Sequence, residues 1–134
     1  MFQNESRLLV ADNSGAKEVL IISNQRSRIG DVVTVTIKES KPNKFTKKVE
    51  KVVKALIITS KRGFWRKNGS FISFSENYAI LLERKKKEEL KLKLNKKERK
   101  VKPRLLGTRI LVPVLREFGD WGWKEVLSLT KQVI

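Results

Sequence analysis

The chain has 134 residues and carries 31 Lys and Arg against 14 Asp and Glu, for a net charge of +17. It contains no Cys and no His, which excludes disulfides, thiol nucleophiles, His/Cys metal sites and His general bases. The length fits one domain with a buried core, and so large a cationic excess points to an extended anionic partner: RNA, DNA or an anionic membrane surface.

Taken in order, Arg7 to Ala11 and Lys17 to Ser23 read as strands on either side of Asp12-Asn13-Ser14-Gly15. Asp and Asn side chains bond their own backbone in turns and Gly supplies positive φ, so that tetrapeptide reads as a turn. In Asp31 to Glu39, Val33, Val35 and Ile37 alternate with Thr34, Thr36 and Lys38, the period of a strand with one wet face. Val49 to Ser60 holds VVKALII, rich in β-branched residues, and Phe71 to Phe74 and Tyr78 to Leu82 follow as further strands. Turn clusters separate them at Ser23 to Gly30, Ser40 to Thr46, Arg62 to Ser70 and Ser75 to Asn77. Short strands so punctuated predict a mainly β fold, a small barrel or sandwich. From residue 83 to 106 the composition changes. Residues 83–104 carry 12 basic and 4 acidic residues and read as a charged insertion, partly helical or disordered, that a partner orders. The tail restarts as a strand, TRILVPVL, after Gly107. Pro113 begins a helical turn, Leu115 to Phe118 continue it, Gly119 ends it, and Lys124 to Leu129 make a second short helix.

Ser14 with Lys17 is the nearest approach to a catalytic pair. Ser is a poor nucleophile without a base, and Lys17 would serve only if burial lowered its pKa. Asn13 and Ser14 remain candidates for ligand contact because loop tips commonly carry function. Glu88-Glu89 reads as a salt partner of neighbouring lysines. Gly63 and Gly69 are too widely spaced for a phosphate cradle, and Asp31, Glu50 and Glu76 are too scattered for a metal cage, so no cofactor is expected. The apolar run Ala79 to Leu82 is far too short to span a bilayer, and the basic arm lacks the apolar face of a membrane-surface helix. MFQNESRLLV matches neither a secretory signal nor a transit peptide, so the chain is expected to be made where it works or to have lost a leader.

The basic residues form three clusters outside the arm. Arg26 and Arg28 lie in one turn, and Lys44, Lys47 and Lys48 flank another. Lys61, Arg62, Arg66 and Lys67 bracket Phe64 and Trp65 in KRGFWRK. Such cations neutralise phosphates, and exposed aromatics stack on unpaired bases. Trp65 reads equally well as a base-stacking residue or as a cap on the barrel end. Trp121 and Trp123 read as cover for the core or for a protein partner. No helix-turn-helix or finger pattern appears, which favours RNA over DNA.

VADNSGA at 10–16, IGDVV at 29–33, IKESKPN at 37–43 and VVKALI at 52–57 resemble successive blocks of the universal large-subunit ribosomal protein number fourteen family. The family signature is matched by Ala55-Leu56-Ile57-Ile58, Asn68-Gly69, Phe74, Asn77 and Ile80-Leu81, with Ile80 where Val is usual. GTRI at 107–110, Leu115-Arg116-Glu117 and VLSL at 126–129 fit its C-terminal block. The resemblance implies a non-enzymatic protein: a five-stranded β-barrel with a projecting hairpin and short C-terminal helical turns. It implies binding to large-subunit rRNA and a bridge to small-subunit rRNA. The implied protein neighbours are large-subunit proteins three and nineteen, and a ribosome-silencing factor in bacteria and organelles. Asp12 to Gly15 then fall in the first hairpin connection, Lys47 and Lys48 match the basic pair of the projecting loop, and Lys54, Arg109 and Arg116 match other basic positions. The chain departs from the pattern in its basic arm and in EFGDWGWKE, which adds two Trp. The Lys- and Ile-rich composition and the arm resemble an organelle-encoded copy, with the mitochondrion expected first and the plastid second. The alternative is a free-standing barrel that binds single-stranded nucleic acid.

Overall fold

Burial alternates along the strands, and the alternation assigns each face. The computed structural model describes residues 6–22, 28–40, 52–82 and 105–134. Arg26, Lys44, Lys47, Lys48, Glu88-Glu89, the tip of the expected projecting hairpin and the arm at 84–104 lie outside these residues. The strands are β1 (Arg7–Val10), β2 (Ala16–Ile21), β3 (Val32–Ser40), β4 (Val52–Ile57), β5 (Phe64–Trp65), β6 (Phe71–Ile72) and β7 (Tyr78–Leu82). The order β1-β2-β3-β4-β7 closes into a barrel, and β5 and β6 form a separate two-stranded hairpin. Successive barrel strands run antiparallel, so an odd number of them must meet in a parallel seam. That seam is β1 on β7, with Leu9 opposite Tyr78 and Val10 opposite Ala79. Register shifts between β2 and β3 around Glu18 add the local bend that closure requires.

Two apolar clusters share the wall of the barrel. Leu8, Val19, Ile21, Val33, Val35, Val53, Ala55, Ile57, Ala79 and Leu81 fill the inside. Leu56, Ile58, Ile80 and Leu82 point outward and are covered by Ile110, Val114, Leu115, Phe118, Trp123 and Val126 of the C-terminal segment. β7 and the Ala55–Ile57 end of β4 are therefore buried on both faces and read as continuous apolar runs, while Val52 and Lys54 leave the other end of β4 wet on its outer face. β3 keeps one wet face and alternates.

The stretch from Gly107 departs from expectation, since it makes single bridges and no regular strand. Ile110 bridges Asp12 on one side and Thr130 on the other, and Val114 bridges Val133. Pro113 has no N–H to extend a ladder, and its neighbours bond alternately to two different segments. Nor does Pro113 start the helix. Helix α1 spans Glu117–Asp120 and includes Gly119. The stop is the second glycine, Gly122, at φ +87°. Gly122 N–H donates to Gly119 O at 3.2 Å and Trp123 N–H to Phe118 O at 2.7 Å, a Schellman motif. The motif turns Trp123 back into the cluster that holds Phe118. Helix α2 spans Lys124–Leu129, with the expected bounds.

Candidate nucleic-acid interface

Asp12-Asn13-Ser14-Gly15 is a turn, and its side chains act as a clasp. Ser14 is 1% exposed. Its backbone N–H and its hydroxyl both donate to Asp12 Oδ1, at 3.0 and 2.5 Å. Asp12 Oδ2 accepts the Leu81 N–H at 2.9 Å. Asn13 Nδ2 donates to Thr108 Oγ1 at 2.9 Å, while Asn13 Oδ1 accepts N–H groups of Thr108 at 2.8 Å and Arg109 at 3.2 Å. A Cβ at residue 107 would sit 2.7 Å from the Asp12 Cβ, so only glycine lets the C-terminal segment approach this closely. Burial raises the pKa of Asp12 above its ordinary 3.8, with the Ser14 and Leu81 hydrogen bonds opposing the shift. Two sequence readings change here. The Ser14 hydroxyl faces the interior, where neither a substrate nor RNA reaches it. The Asn13 carboxamide is committed to the 107–109 segment.

The carboxylates are largely consumed within the fold. Glu18 pairs with Arg7 at 3.4 Å, Glu76 with Lys61 at 3.4 Å and Glu117 with Arg66 at 2.9 Å. Asp31 accepts the Arg28 backbone N–H at 2.8 Å, which leaves that guanidinium outside the contact. Arg28, Lys54, Arg62, Lys67, Arg109 and Arg116 are exposed. Lys54 lies across the β3–β4 ladder and donates to Thr34 Oγ1 at 2.7 Å. The net field over the described surface is therefore cationic, and rigid strands and bonded turns hold it in place.

The hairpin of β5 and β6 presents two different faces. Phe64 and Ile72, opposite each other, pack on the outer apolar cluster. Phe64 meets Trp121 edge-on at 5.7 Å, and Trp121 meets Phe118 at 5.1 Å. Trp65 and Phe71, one step along, face solvent. Trp123 is buried in the outer cluster, whereas Trp121 is 37% exposed and packs edge-on against Phe64 and Phe118 at its margin. Arg66 differs from its expected role. It is 11% exposed, its Nε lies 2.9 Å from Glu117 Oε1, and its Nη2 donates to the Ile134 carbonyl oxygen. It straps the hairpin to the C-terminal segment, so of the four cations in KRGFWRK only Lys61, Arg62 and Lys67 are exposed. Phe71 went unnoticed in the sequence as a partner for Trp65. The usable signal was Asn68-Gly69 between two aromatic-containing dipeptides, a hairpin pattern whose strands are only two residues long.

Among the described residues no group of three or more metal-ligating side chains gathers, and no helix is long and apolar enough to cross a membrane. Residues 1–134 match the family model described as ribosomal protein L14p/L23e.

Proposed function

Since the chain belongs to the ribosomal protein L14p/L23e family, whose members are structural constituents of the large ribosomal subunit, we propose that it works by binding large-subunit rRNA and contributing to a bridge with small-subunit rRNA. The observation that carries this reading is the division of charge. Of the described carboxylates, those at positions 12, 18, 31, 76 and 117 are buried or bonded within the chain, while Asp120 and Glu125 are exposed. Arg28, Lys54, Lys61, Arg62, Lys67, Arg109 and Arg116 are held outward. A barrel that fixes cations in space neutralises phosphates that would otherwise repel one another, and it does so without ordering long side-chain linkers on binding. Arg26, Lys44, Lys47 and Lys48 supply further phosphate contacts in this proposal. Asn13, Ser14 and Arg66 serve it indirectly, by holding the segments that carry Arg109, Arg116 and the β5–β6 hairpin.

In this proposal, large-subunit proteins three and nineteen are neighbours and a ribosome-silencing factor is a regulator. The ribosome is organellar, mitochondrial before plastid, a reading supported by the Lys- and Ile-rich composition and the added basic arm. The test is sedimentation of organelle lysate through a sucrose gradient in moderate and then high salt, following this protein. Co-migration with the mitochondrial large subunit that survives high salt is the expected result. Co-migration with plastid subunits moves the compartment and keeps the function. Migration at the top of the gradient, or stripping by modest salt, overturns the ribosomal reading in favour of a free-standing single-strand binder.

A further inference from the structure

We propose that Trp65, backed by Phe71, is a stacking platform for one unpaired nucleobase of the RNA. This rests on the RNA-binding reading above and adds the kind of RNA that the β5–β6 hairpin takes. Trp65 is 70% exposed and Phe71 48%, the two rings lying 4.8 Å apart at 48°. A cross-strand aromatic pair stabilises a hairpin, and that accounts for their mutual contact. It does not account for an indole that leaves most of its surface in water, because the hairpin is already anchored by its other face. Phe64 and Ile72 fix it to the outer cluster, Arg66 straps it to Glu117 and Ile134, and Asn68 closes the turn by accepting from the Ser70 N–H at 3.0 Å and the Ser70 hydroxyl at 2.6 Å.

The support extends beneath the platform. A Cβ at residue 63 would lie 2.4 Å from the Phe71 ring and 2.6 Å from the Ile72 carbonyl oxygen. Gly63, at φ +85°, thus makes room for Phe71, and Phe71 supports Trp65. The surroundings select the occupant. Residues 61–72 contain four cations and no acid. Arg66 is consumed by the strap, whereas Arg62 and Lys67 are exposed and have no ion-pair partner among the described residues. An apolar protein surface laid on Trp65 would have to desolvate those two charges. A nucleotide strand places its base on the ring and its phosphates against the cations. Duplex RNA has no free base face to offer, so the site takes an unpaired nucleotide and tolerates any base.

The experiment compares the full chain with its Trp65→Leu and Trp65→Phe variants. Each is titrated with a large-subunit rRNA transcript, with a short unpaired oligoribonucleotide, and with the same oligoribonucleotide closed in a duplex. The platform predicts that Trp65→Leu weakens binding to the unpaired strand by roughly 5- to 150-fold, the scale of one base–aromatic stack. Trp65→Phe should retain most of the affinity, duplex binding should not change, and the salt slope of Trp65→Leu should stay that of the wild type, since no phosphate contact is removed. Equal thermal midpoints for the three proteins show that the fold is intact. If Trp65→Leu binds the unpaired strand as wild type does, the platform is wrong and the rRNA-binding reading stands. If it binds all three RNAs normally but its large subunits lack a neighbouring protein, a protein covers Trp65 and the platform is again wrong. If the wild-type chain binds none of the RNAs, both readings fall together.

Discussion

Asp12 joins three parts of the molecule through one carboxylate. It closes the first turn by accepting from Ser14, reaches across the barrel seam to the Leu81 N–H, and lies against Gly107 of the C-terminal segment. Every polar bond it makes is accepted, which an amide cannot reproduce, because the NH2 of Asn would face either the Ser14 or the Leu81 N–H. Asp12→Asn is expected to destabilise the protein by about 1–3 kcal/mol, the scale of a buried donor left unsatisfied. Because burial raises the folded-state pKa, the contribution of this carboxyl to stability is fully present below pH 3.8 and is lost as pH rises through the folded value. Asn does not titrate. The gap in melting temperature between wild type and Asp12→Asn should therefore be widest in acid and narrower at neutrality, which thermal unfolding across pH will show. That these four residues form a turn is readable from Asx and Gly chemistry alone. That Asn13 is bonded to Thr108 and Arg109 is not, because those partners lie 95 and 96 positions away and no local pattern announces them.

Legibility at the level of elements follows length and burial. β7 and α2 emerge with the expected bounds, since one is a continuous apolar run and the other has a clear helical stretch. β5, two residues long and too short for any period, hides inside what reads as the Arg62 to Ser70 turn cluster, while β6 keeps only Phe71–Ile72 of the strand expected over Phe71 to Phe74. The segment from Gly107 is apolar and β-branched enough to suggest a strand, yet tertiary partners take its backbone groups one at a time. The same override applies to Arg66, whose sequence neighbourhood suggests RNA and whose packing makes it a strap. Replacing it by Ala leaves Glu117 without its partner and the Ile134 carbonyl without a donor, so a loss of about 1–3 kcal/mol is expected in denaturant unfolding. The salt slope of RNA binding should remain unchanged in Arg66→Ala, whereas Arg62→Gln or Lys67→Gln should lower it by about one. A lowered slope in Arg66→Ala would mean that the strap opens and the guanidinium meets phosphate.

For the molecule as a whole, the charge is divided between the barrel-bearing residues and the arm. Deleting Arg84 to Lys102 removes eleven basic and three acidic residues and takes the net charge from +17 to +9. The described strands and the described members of the two apolar clusters include none of the deleted residues. The thermal midpoint of the deletion should stay within a few degrees of wild type, since every described residue of the two apolar clusters is retained. The salt slope of rRNA binding should fall, because fewer counterions are released. A deletion strain should show a defect in subunit assembly or in an arm-specific contact, read from its subunit profile. An unchanged profile together with an unchanged slope would show that the arm is only a solvated surface. Charge pointed to a polyanionic partner, and a mainly β barrel or sandwich was legible from strand spacing. The division of labour among the charges was not, because composition counts charges without saying which are already paired.

The parallel seam between β1 and β7 also sets an order of events in time. A chain delivered from its N-terminus exposes β1 and the Asp12 turn first, yet the Leu81 amide that Asp12 holds comes 69 residues later, and the Thr108 groups that Asn13 holds come 95 residues later. The first hairpin therefore waits, with its seam edge unpaired, until most of the chain has been made. Contacts of such long sequence separation make folding slow and leave the growing chain open to mispairing. Closure is a late and stepwise event: β7 completes the seam and brings the Leu81 amide to Asp12, the 107–109 segment then locks it through Asn13, and a nascent chain stopped short of Gly107 holds every barrel strand but lacks that lock.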